Sequence, residues 1–173
     1  EAKGFDQALA FLVERLKPKR SRAKLVRRQY IPQGDGTPRP LGIPAVEDKL
    51  LHLAVARLLE AIYAQDFLRC RYGYRPQVGA LDAVDTLTIK LQFGRYAWVV
   101  EADIKGFFDH VNHEWMMKFL GVRVGDKRLL RLIWRMLRGG VMEEGLAKAG
   151  EEGTPQGGSL SPLLSNVYLH CAL

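Results

Sequence analysis

Several features are missing from this 173-residue sequence, and each absence excludes a class of protein. It has only two cysteines, Cys70 and Cys171, which lie far apart and have no partner at metal-ligand spacing. A structural disulfide is therefore not expected, and a reducing, cytoplasmic compartment is predicted. No apolar run approaches the roughly 18 residues that span a bilayer, and the N-terminus lacks a signal-peptide pattern. The sequence therefore predicts neither a membrane partner nor secretion.

Acidic residues are missing from one stretch of an otherwise mixed sequence. Hydrophobic residues make up 47% and charged residues 26%, which is typical of a globular chain with one domain, or one domain and part of another. The net charge is +7, and between Arg15 and Arg28 eight residues are basic and none is acidic. Such a segment suits nucleic-acid binding, although a solvated cationic surface explains it equally well.

A second basic set recurs at helical spacing near the C-terminal end. It consists of Arg128, Arg131, Arg135 and Arg138. On a helix these side chains share one stripe, which could follow a phosphate backbone and release its condensed counterions. We name this set the arginine stripe and predict that it contacts RNA, with a plain solvated face as the alternative.

Hydrophobic periodicity predicts a helix-rich α+β fold with no regular βαβ alternation. An Asp-Gly turn within 33–38 predicts a β-hairpin between segments 25–32 and 39–44. Segment 96–104 alternates apolar and polar residues and is predicted to be a strand. Helices are predicted over 5–16, 46–65, 79–91, 113–120 and 126–138, with another from Ser161. In the second of these helices, the predicted buried stripe is Leu50, Leu53, Ala54, Arg57, Leu58 and Ile62.

The predicted strand ends within segment 101–113, which has several side chains that could bind a metal ion. Its sequence is Glu-Ala-Asp-Ile-Lys-Gly-Phe-Phe-Asp-His-Val-Asn-His. Asp103 stands where an apolar strand gives way to a glycine-containing turn, and Glu101 projects from the same face. Paired carboxylates of this kind suit divalent metal ions in phosphoryl transfer. Alternatively, Asp103 caps the turn and Glu101 is solvated. A zinc site at His110, His113 and Asp109 would lack a fourth ligand and is not favoured.

This segment resembles the first carboxylate motif of group II intron-encoded reverse transcriptases. Three further blocks resemble motifs of the same family in the expected order: Arg-Pro-Leu-Gly-Ile-Pro over 39–44, Tyr-Gly-Tyr-Arg-Pro over 72–76, and Gly-Thr-Pro-Gln-Gly-Gly over 153–158 followed by Leu-Ser-Pro-Leu-Leu-Ser-Asn. Any one of these would be weak evidence. Together they cover most of the chain from Tyr30 onward.

The resemblance implies a right-hand polymerase, with fingers over 1–90 and an incomplete palm over 91–173. The palm would include a short antiparallel sheet, and the second carboxylate motif, thumb and maturase region would lie beyond the chain. We therefore expect a fragment that is inactive by itself. In the full protein the implied reaction is RNA-templated DNA synthesis from dNTPs with two magnesium ions, together with assistance to splicing of the intron RNA.

The resemblance also implies roles for individual residues at the nucleotide. Asp103 would be the catalytic magnesium ligand, assisted by the Ile104 carbonyl. Backbone amides of Gly106 and Phe107 would face the triphosphate, and Phe108 would exclude a ribose 2′ hydroxyl. Two more residues are implied to contact the dNTP, namely Arg39 at a phosphate and Gln156 beside the nascent pair.

Another implied group would contact the template or the RNA/DNA duplex. Tyr72, Tyr74 and Arg75 would line the template path, where aromatic and guanidinium planes can stack on bases. Gly157 would let the backbone approach the nucleic acid. For the two tyrosines, packing within the protein is the alternative.

One departure and two alternatives accompany this interpretation. Gln33 stands where the family commonly has a lysine, so one phosphate contact at the hairpin would be lost. The chain could instead be a non-catalytic RNA-binding module or a degenerate relic, or part of a related reverse transcriptase outside introns. An incomplete palm would also expose apolar surface through which copies could self-associate.

Overall fold

A computed structural model describes residues 25–32, 38–143, 146–148, 153–154 and 158–172, together with Gln7, Ala10, Val13 and Glu14. Most of the predicted N-terminal helix lies outside the described residues, as do most of the basic segment and the tip of the hairpin. Among the described helices, none combines the length and the apolar character needed to cross a bilayer.

Helices dominate the described fold, in agreement with the α+β prediction. The elements are β1 (Val26–Pro32), β2 (Pro38–Ile43), α1 (Val46–Tyr63), α2 (Ala80–Phe93), a 3₁₀ turn (Phe107–Asp109), α3 (His113–Arg123), α4 (Lys127–Leu137), β3 (Val141–Glu143), β4 (Leu146–Lys148) and α5 (Ser161–Ala172). Helices α3 and α4 begin at side-chain caps, where Asn112 accepts from the Trp115 amide and Asp126 from the Arg128 amide. The predicted helices in these regions are thus confirmed.

Strands β1 and β2 form the predicted antiparallel hairpin, with Ile31 opposite Arg39 and Arg27 opposite Ile43. The sheet extends further than predicted, in the order β2-β1-β3-β4. β3 and β4 are antiparallel to each other, but β3 runs parallel to β1, with Val26 opposite Val141. Within 91–173, where we predicted a short antiparallel sheet, β3 and β4 form an antiparallel pair that joins the hairpin in one mixed sheet.

The strand predicted over 96–104 is wrong for this structure, in which the segment has no assigned strand. Trp98 and Val100 are 89% and 91% exposed. Alternating residues create a suitable strand face, but a strand also needs a neighbouring backbone to satisfy its N–H and C=O groups. No described strand pairs with this segment.

The core lies where α1, α3, α4 and α5 meet. Its fully buried side chains are Tyr63, Leu59, Met116, Leu120, Ile133, Leu164, Val111 and Val167. The Tyr63 hydroxyl lies 3.3 Å from the carbonyl oxygen of Phe119 and 3.4 Å from that of Leu120, which ties the end of α1 to α3. Burial raises the pKa of Tyr63 to about 12, so this hydroxyl keeps its proton and donates.

Helix α1 buries a different face from the predicted one. Leu50, Leu53 and Leu58 are exposed, and the buried residues are Asp48, His52, Val55, Leu59 and Tyr63. Apolar residues occur on several sides of this helix, so periodicity alone does not select the side that packs. Helix α2 buries none of its residues.

The buried imidazole of His52 makes the stability of this fold depend on pH. Burial lowers its pKa from 6.5, and the opposite charge of Asp48 offsets only part of this effect. The unfolded chain therefore takes up a proton on His52 before the folded chain does. We expect the free energy of unfolding to fall as the pH drops below 6.5, because protonation of His52 shifts the equilibrium towards the unfolded chain.

Urea unfolding between pH 8 and pH 5 measures this dependence. The matched variant His52→Asn removes the titrating group and should have a flatter profile over the same interval. An equally steep decline in the variant would contradict the assignment to His52.

Candidate functional site

A tight turn follows Asp103 and Ile104 and depends on one glycine. Gly106 has φ 63° and ψ 28°, the left-handed conformation that glycine adopts without a side-chain penalty. Its carbonyl accepts the Asp109 amide at 3.0 Å, and the Phe107 carbonyl accepts the His110 amide at 3.2 Å. A Cβ at position 106 would lie 3.2 Å from the His110 ring. The conformation of Gly106 and these two short-range hydrogen bonds therefore define the Phe107–Asp109 turn.

The beginning of the glycine-rich loop is bound directly to this turn. The Gly153 amide donates to the Val111 carbonyl at 2.9 Å, and the Thr154 amide donates to the Phe108 carbonyl at 2.7 Å. Gly153 has φ +82°, and a Cβ there would lie 2.8 Å from the Phe108 oxygen and 2.9 Å from the Asp109 oxygen. Two of the predicted motifs are thus in backbone contact that only glycine permits.

His113 adds a third contact to the same loop. Its Nε2 lies 2.6 Å from the Gly153 carbonyl oxygen, and the ring packs edge-on against Trp134. Sequence reasoning considered His113 only as a metal ligand and missed this contact. Its place ten residues after Asp103, at the end of the first carboxylate motif, was the available signal.

Two aromatic rings of the turn have different surroundings. Phe107 packs against the core and stands edge-on to Tyr168 of α5, with ring centroids 6.1 Å apart. Phe108 is partly buried and stands edge-on to Phe107, with centroids 5.5 Å apart. Tyr168 also contacts Phe119 of α3. The turn is therefore anchored to the core through Phe107, and the Phe107 ring in turn packs against Phe108.

The predicted metal ligands lie at the exposed edge before this turn. Asp103, Ile104 and Glu101 are all exposed. Within the described part of the chain, no three His, Cys, Asp or Glu residues are grouped so that they could hold a metal ion. These residues offer carboxylate and carbonyl oxygens, which magnesium prefers, but they do not complete a magnesium site.

The Tyr-Gly-Tyr-Arg-Pro motif is bound to the middle of α5. The buried Asn166 side-chain amide donates to the Gly73 carbonyl at 2.9 Å, and the Asn166 backbone carbonyl accepts from the Arg71 guanidinium. Arg71 also lies over the Phe67 ring, 5.3 Å from its centroid. Burial lowers the pKa of Arg71. Asn166 thus joins two motifs that are distant in sequence.

Two residues of this motif form hydrogen bonds within the protein, whereas the side chain of a third is exposed. The Tyr72 hydroxyl donates to the Thr86 hydroxyl at 2.7 Å, and the Arg75 guanidinium donates to the Leu68 carbonyl at 3.0 Å. Tyr74 is 64% exposed and has φ 53°, which is uncommon for an aromatic residue. Tyr74 contributes to a cavity of about 280 Å³ whose wall also includes Leu53, Ala56, Arg57, Glu60, Pro76, Ser159, Pro162 and Leu163.

The arginine stripe lies on α4 and its C-terminal end. Arg128, Arg131 and Arg138 are exposed, and Arg135 is partly buried. Arg138 lies over the Trp134 ring, 5.4 Å from its centroid. The opposite side of α4 buries Ile133, Met136 and Leu137 in the core. The predicted helical stripe is therefore present on the surface.

Three residues with predicted contacts lie wholly or partly outside the described part of the chain. Gln156 and Gly157 lie outside the described residues. Arg39 is described only by its backbone, which pairs with Ile31 at the end of the hairpin.

Comparisons with known proteins identify the chain's relatives. The family model for reverse transcriptase (RNA-dependent DNA polymerase) matches residues 31–173. Protein YkfC of Escherichia coli is 40% identical over 147 residues, which cover 83% of this chain and 39% of YkfC. The group II intron-encoded protein LtrA of Lactococcus lactis is 39% identical over 171 residues, which cover 98% of this chain and 28% of LtrA. The chain thus spans well under half of either relative.

The fold of this chain is also similar to part of a solved structure. The chain matches part of a chain in a partial Cas6-RT-Cas1–Cas2 complex with a TM-score of 0.58 and 25% identity. The match covers 95% of this chain and 28% of the other. This similarity supports the fold.

The contact between Gly153 and the turn gives a stability prediction. Gly153→Ala should destabilise the chain by about 1–3 kcal/mol, because the methyl group would meet two carbonyl oxygens at a positive φ. Gly121→Ala is the matched control, since Gly121 lies on α3 with open space around its Cβ position. That control should stabilise by about 0.5–1 kcal/mol. Urea unfolding measures both, and a Gly153→Ala variant as stable as the wild type would contradict the proposed packing.

Proposed function

Because this chain belongs to the reverse transcriptase family, we propose that it forms the fingers and part of the palm of an RNA-directed DNA polymerase encoded by a group II intron. The fingers would comprise 1–90 and the partial palm 91–173. The observation that carries this proposal is the backbone contact between the Phe107–Asp109 turn and the start of the glycine-rich loop at Gly153. This contact brings together two segments whose family counterparts face the incoming nucleotide.

At the nucleotide, we assign Phe108 to discrimination against a ribose. It is partly buried and packs against the Phe107 ring, so its own ring has a defined position within the turn. The amides of Gly106 and Phe107 would face the triphosphate, since the missing side chain at Gly106 permits close approach. Arg39 and Gln156 would complete the dNTP contacts. Asp103, with the Ile104 carbonyl, would supply part of the magnesium site.

For the template, the contacts within the Tyr-Gly-Tyr-Arg-Pro turn suggest a division of roles. Tyr72 and Arg75 are bonded within the protein and would hold the turn. Tyr74 is exposed, so its ring would stack on a template base, an interaction worth roughly 1–3 kcal/mol. Gly157 would contact the nucleic acid from the glycine-rich loop.

The arginine stripe would hold intron RNA or the RNA/DNA duplex. Its exposed guanidinium groups lie along one helix with the core behind them. In the full gene product this binding would assist splicing as well as copying, in a cytoplasmic setting. Exposed apolar residues on α2 and over 96–100 support the predicted self-association of the chain when it is isolated.

A second candidate function is RNA binding without catalysis. Two observations favour it for the chain alone: the exposed arginine stripe and the lack of a complete set of metal ligands within the described residues. Both candidates require RNA binding. Only the first requires selective use of a dNTP.

Substitution of Phe108 tests the polymerase proposal. In the full gene product, Phe108→Val should raise ribonucleotide incorporation relative to dNTP incorporation by about 10- to 200-fold, because a smaller side chain leaves room for the 2′ hydroxyl. Primer extension on an RNA template, with single nucleotides, measures the ratio of kcat/KM values. The matched control is Phe93→Val, which alters an exposed phenylalanine at the end of α2.

Two results would count against this assignment. If the Phe108→Val variant kept the wild-type selectivity, Phe108 would not be the residue that excludes the ribose. If the wild-type product extended no primer under any divalent metal ion, the non-catalytic alternative would be favoured.

Charge reversal tests RNA binding by the arginine stripe. Changing all four arginines to glutamate should weaken RNA binding and reduce the slope of log K against log salt by about 3, because each single-strand phosphate contact contributes about 0.7. The control changes Lys49, Arg69, Lys90 and Arg95, which are exposed elsewhere, to glutamate. Both variants carry the same net charge.

Fluorescence anisotropy with a labelled single-stranded RNA at several salt concentrations distinguishes the two variants. A loss confined to the stripe variant would support a defined phosphate track. Equal losses in both variants would mean that the chain binds RNA through overall charge alone.

A further inference from the structure

The proposed function gives no role to His113, which is one of the buried polar side chains. His113 is 3% exposed and lies in the first turn of α3, just after the Asn112 cap. Its Nδ1 is buried and has no hydrogen-bond partner in the described part of the chain. Burial of a polar ring is unfavourable unless a specific contact compensates for it. The contact of its other nitrogen therefore has to explain why a histidine stands here.

That contact is a short hydrogen bond to the glycine-rich loop. His113 Nε2 lies 2.6 Å from the carbonyl oxygen of Gly153. A carbonyl oxygen can only accept, so Nε2 carries the proton and donates. The bond is buried, and in such surroundings a hydrogen bond is less exposed to competition from water.

The Gly153 carbonyl belongs to the same peptide group as the Thr154 amide. That amide donates to the Phe108 carbonyl at 2.7 Å. One peptide plane is thus held at both ends, by His113 on one side and by the Phe108 backbone on the other. The amide of Gly153 adds a third restraint through its bond to Val111 at 2.9 Å.

We propose that His113 is a positioning residue, which orients the Gly153–Thr154 peptide and thereby the Phe108 backbone beside the incoming nucleotide. This role rests on the proposed function, because it concerns the same nucleotide site. In this role His113 would act only through that peptide. Without its bond, the peptide could rotate about the flexible glycine, and Phe108 would lose its fixed partner.

Two substitutions separate the hydrogen bond from the bulk of the ring. His113→Gln keeps an N–H donor near the position of Nε2, whereas His113→Leu fills space without a donor. Hydrogen exchange of the Thr154 amide measures how often the peptide opens. Leucine should accelerate this exchange roughly tenfold relative to the wild type, and glutamine should restore most of the protection.

Val124→Ala is the control for general destabilisation. Val124 is a buried core residue at the other end of α3, where its amide donates to the Leu120 carbonyl. It should lower global stability without accelerating Thr154 exchange beyond that global effect. Unchanged Thr154 exchange in His113→Leu would overturn the proposed contact, and so would glutamine as damaging as leucine.

Steady-state primer extension by the full gene product gives the functional readout. His113→Leu should raise KM for the dNTP more than it lowers kcat, and His113→Gln should return KM towards the wild-type value. A merely structural role would reduce the amount of active enzyme, which lowers apparent kcat and leaves KM unchanged. An unchanged KM in a working enzyme would overturn the positioning role alone, whereas a wild-type product that extends no primer would overturn the proposed function.

Discussion

The close approach of Gly153 to the backbone of Phe108 and Asp109 is the constraint on which the candidate site depends. Three hydrogen bonds cross this contact, two from loop amides and one from His113. At Phe108 and Asp109 the loop backbone comes nearer than a side chain at position 153 would allow. Segments separated by more than forty residues therefore meet at one place, and the core behind them fixes where that place lies.

The helices hold this contact in place. Phe107 reaches the core beside Tyr168 of α5, and His113 starts α3, whose other turns bury Met116 and Leu120. The turn and the loop are thus attached to the same packed helices. Asn166 extends the arrangement to the Tyr-Gly-Tyr-Arg-Pro turn through its bond to the Gly73 carbonyl. Three of the motifs recognised in the sequence are linked in this way by identifiable hydrogen bonds.

Local signals in the sequence predicted the elements that are specified locally. The hairpin, α3 and α4 agree with the predictions because a turn signal and side-chain caps, which are local features, define them. The strand over 96–104 and the buried face of α1 were wrong, since both depend on what packs alongside. Leu50 and His52 illustrate the difficulty, because the leucine is exposed and the histidine is buried.

The site could be predicted in part. Family resemblance pointed to the Phe107–Asp109 turn and to the loop at Gly153, and the structure brings them together. It could not reveal that His113 bonds to Gly153, because the two residues lie 40 positions apart and the motif does not indicate the partner of His113. Nor could it separate Tyr74, which is exposed, from Tyr72, which is bonded to Thr86. Roles that depend on long-range contacts became apparent only from the three-dimensional structure.

The most direct test of a nucleotide site at this contact is photocrosslinking with a base-modified dNTP in the presence of primer and RNA template. Mass spectrometry of the full gene product would then locate the adducts. The account predicts adducts concentrated in the peptides that contain Phe108 and the 153–158 loop, and predicts that the matching unmodified dNTP competes for them. Adducts scattered over the basic surface, and displaced equally by any polyanion, would contradict it.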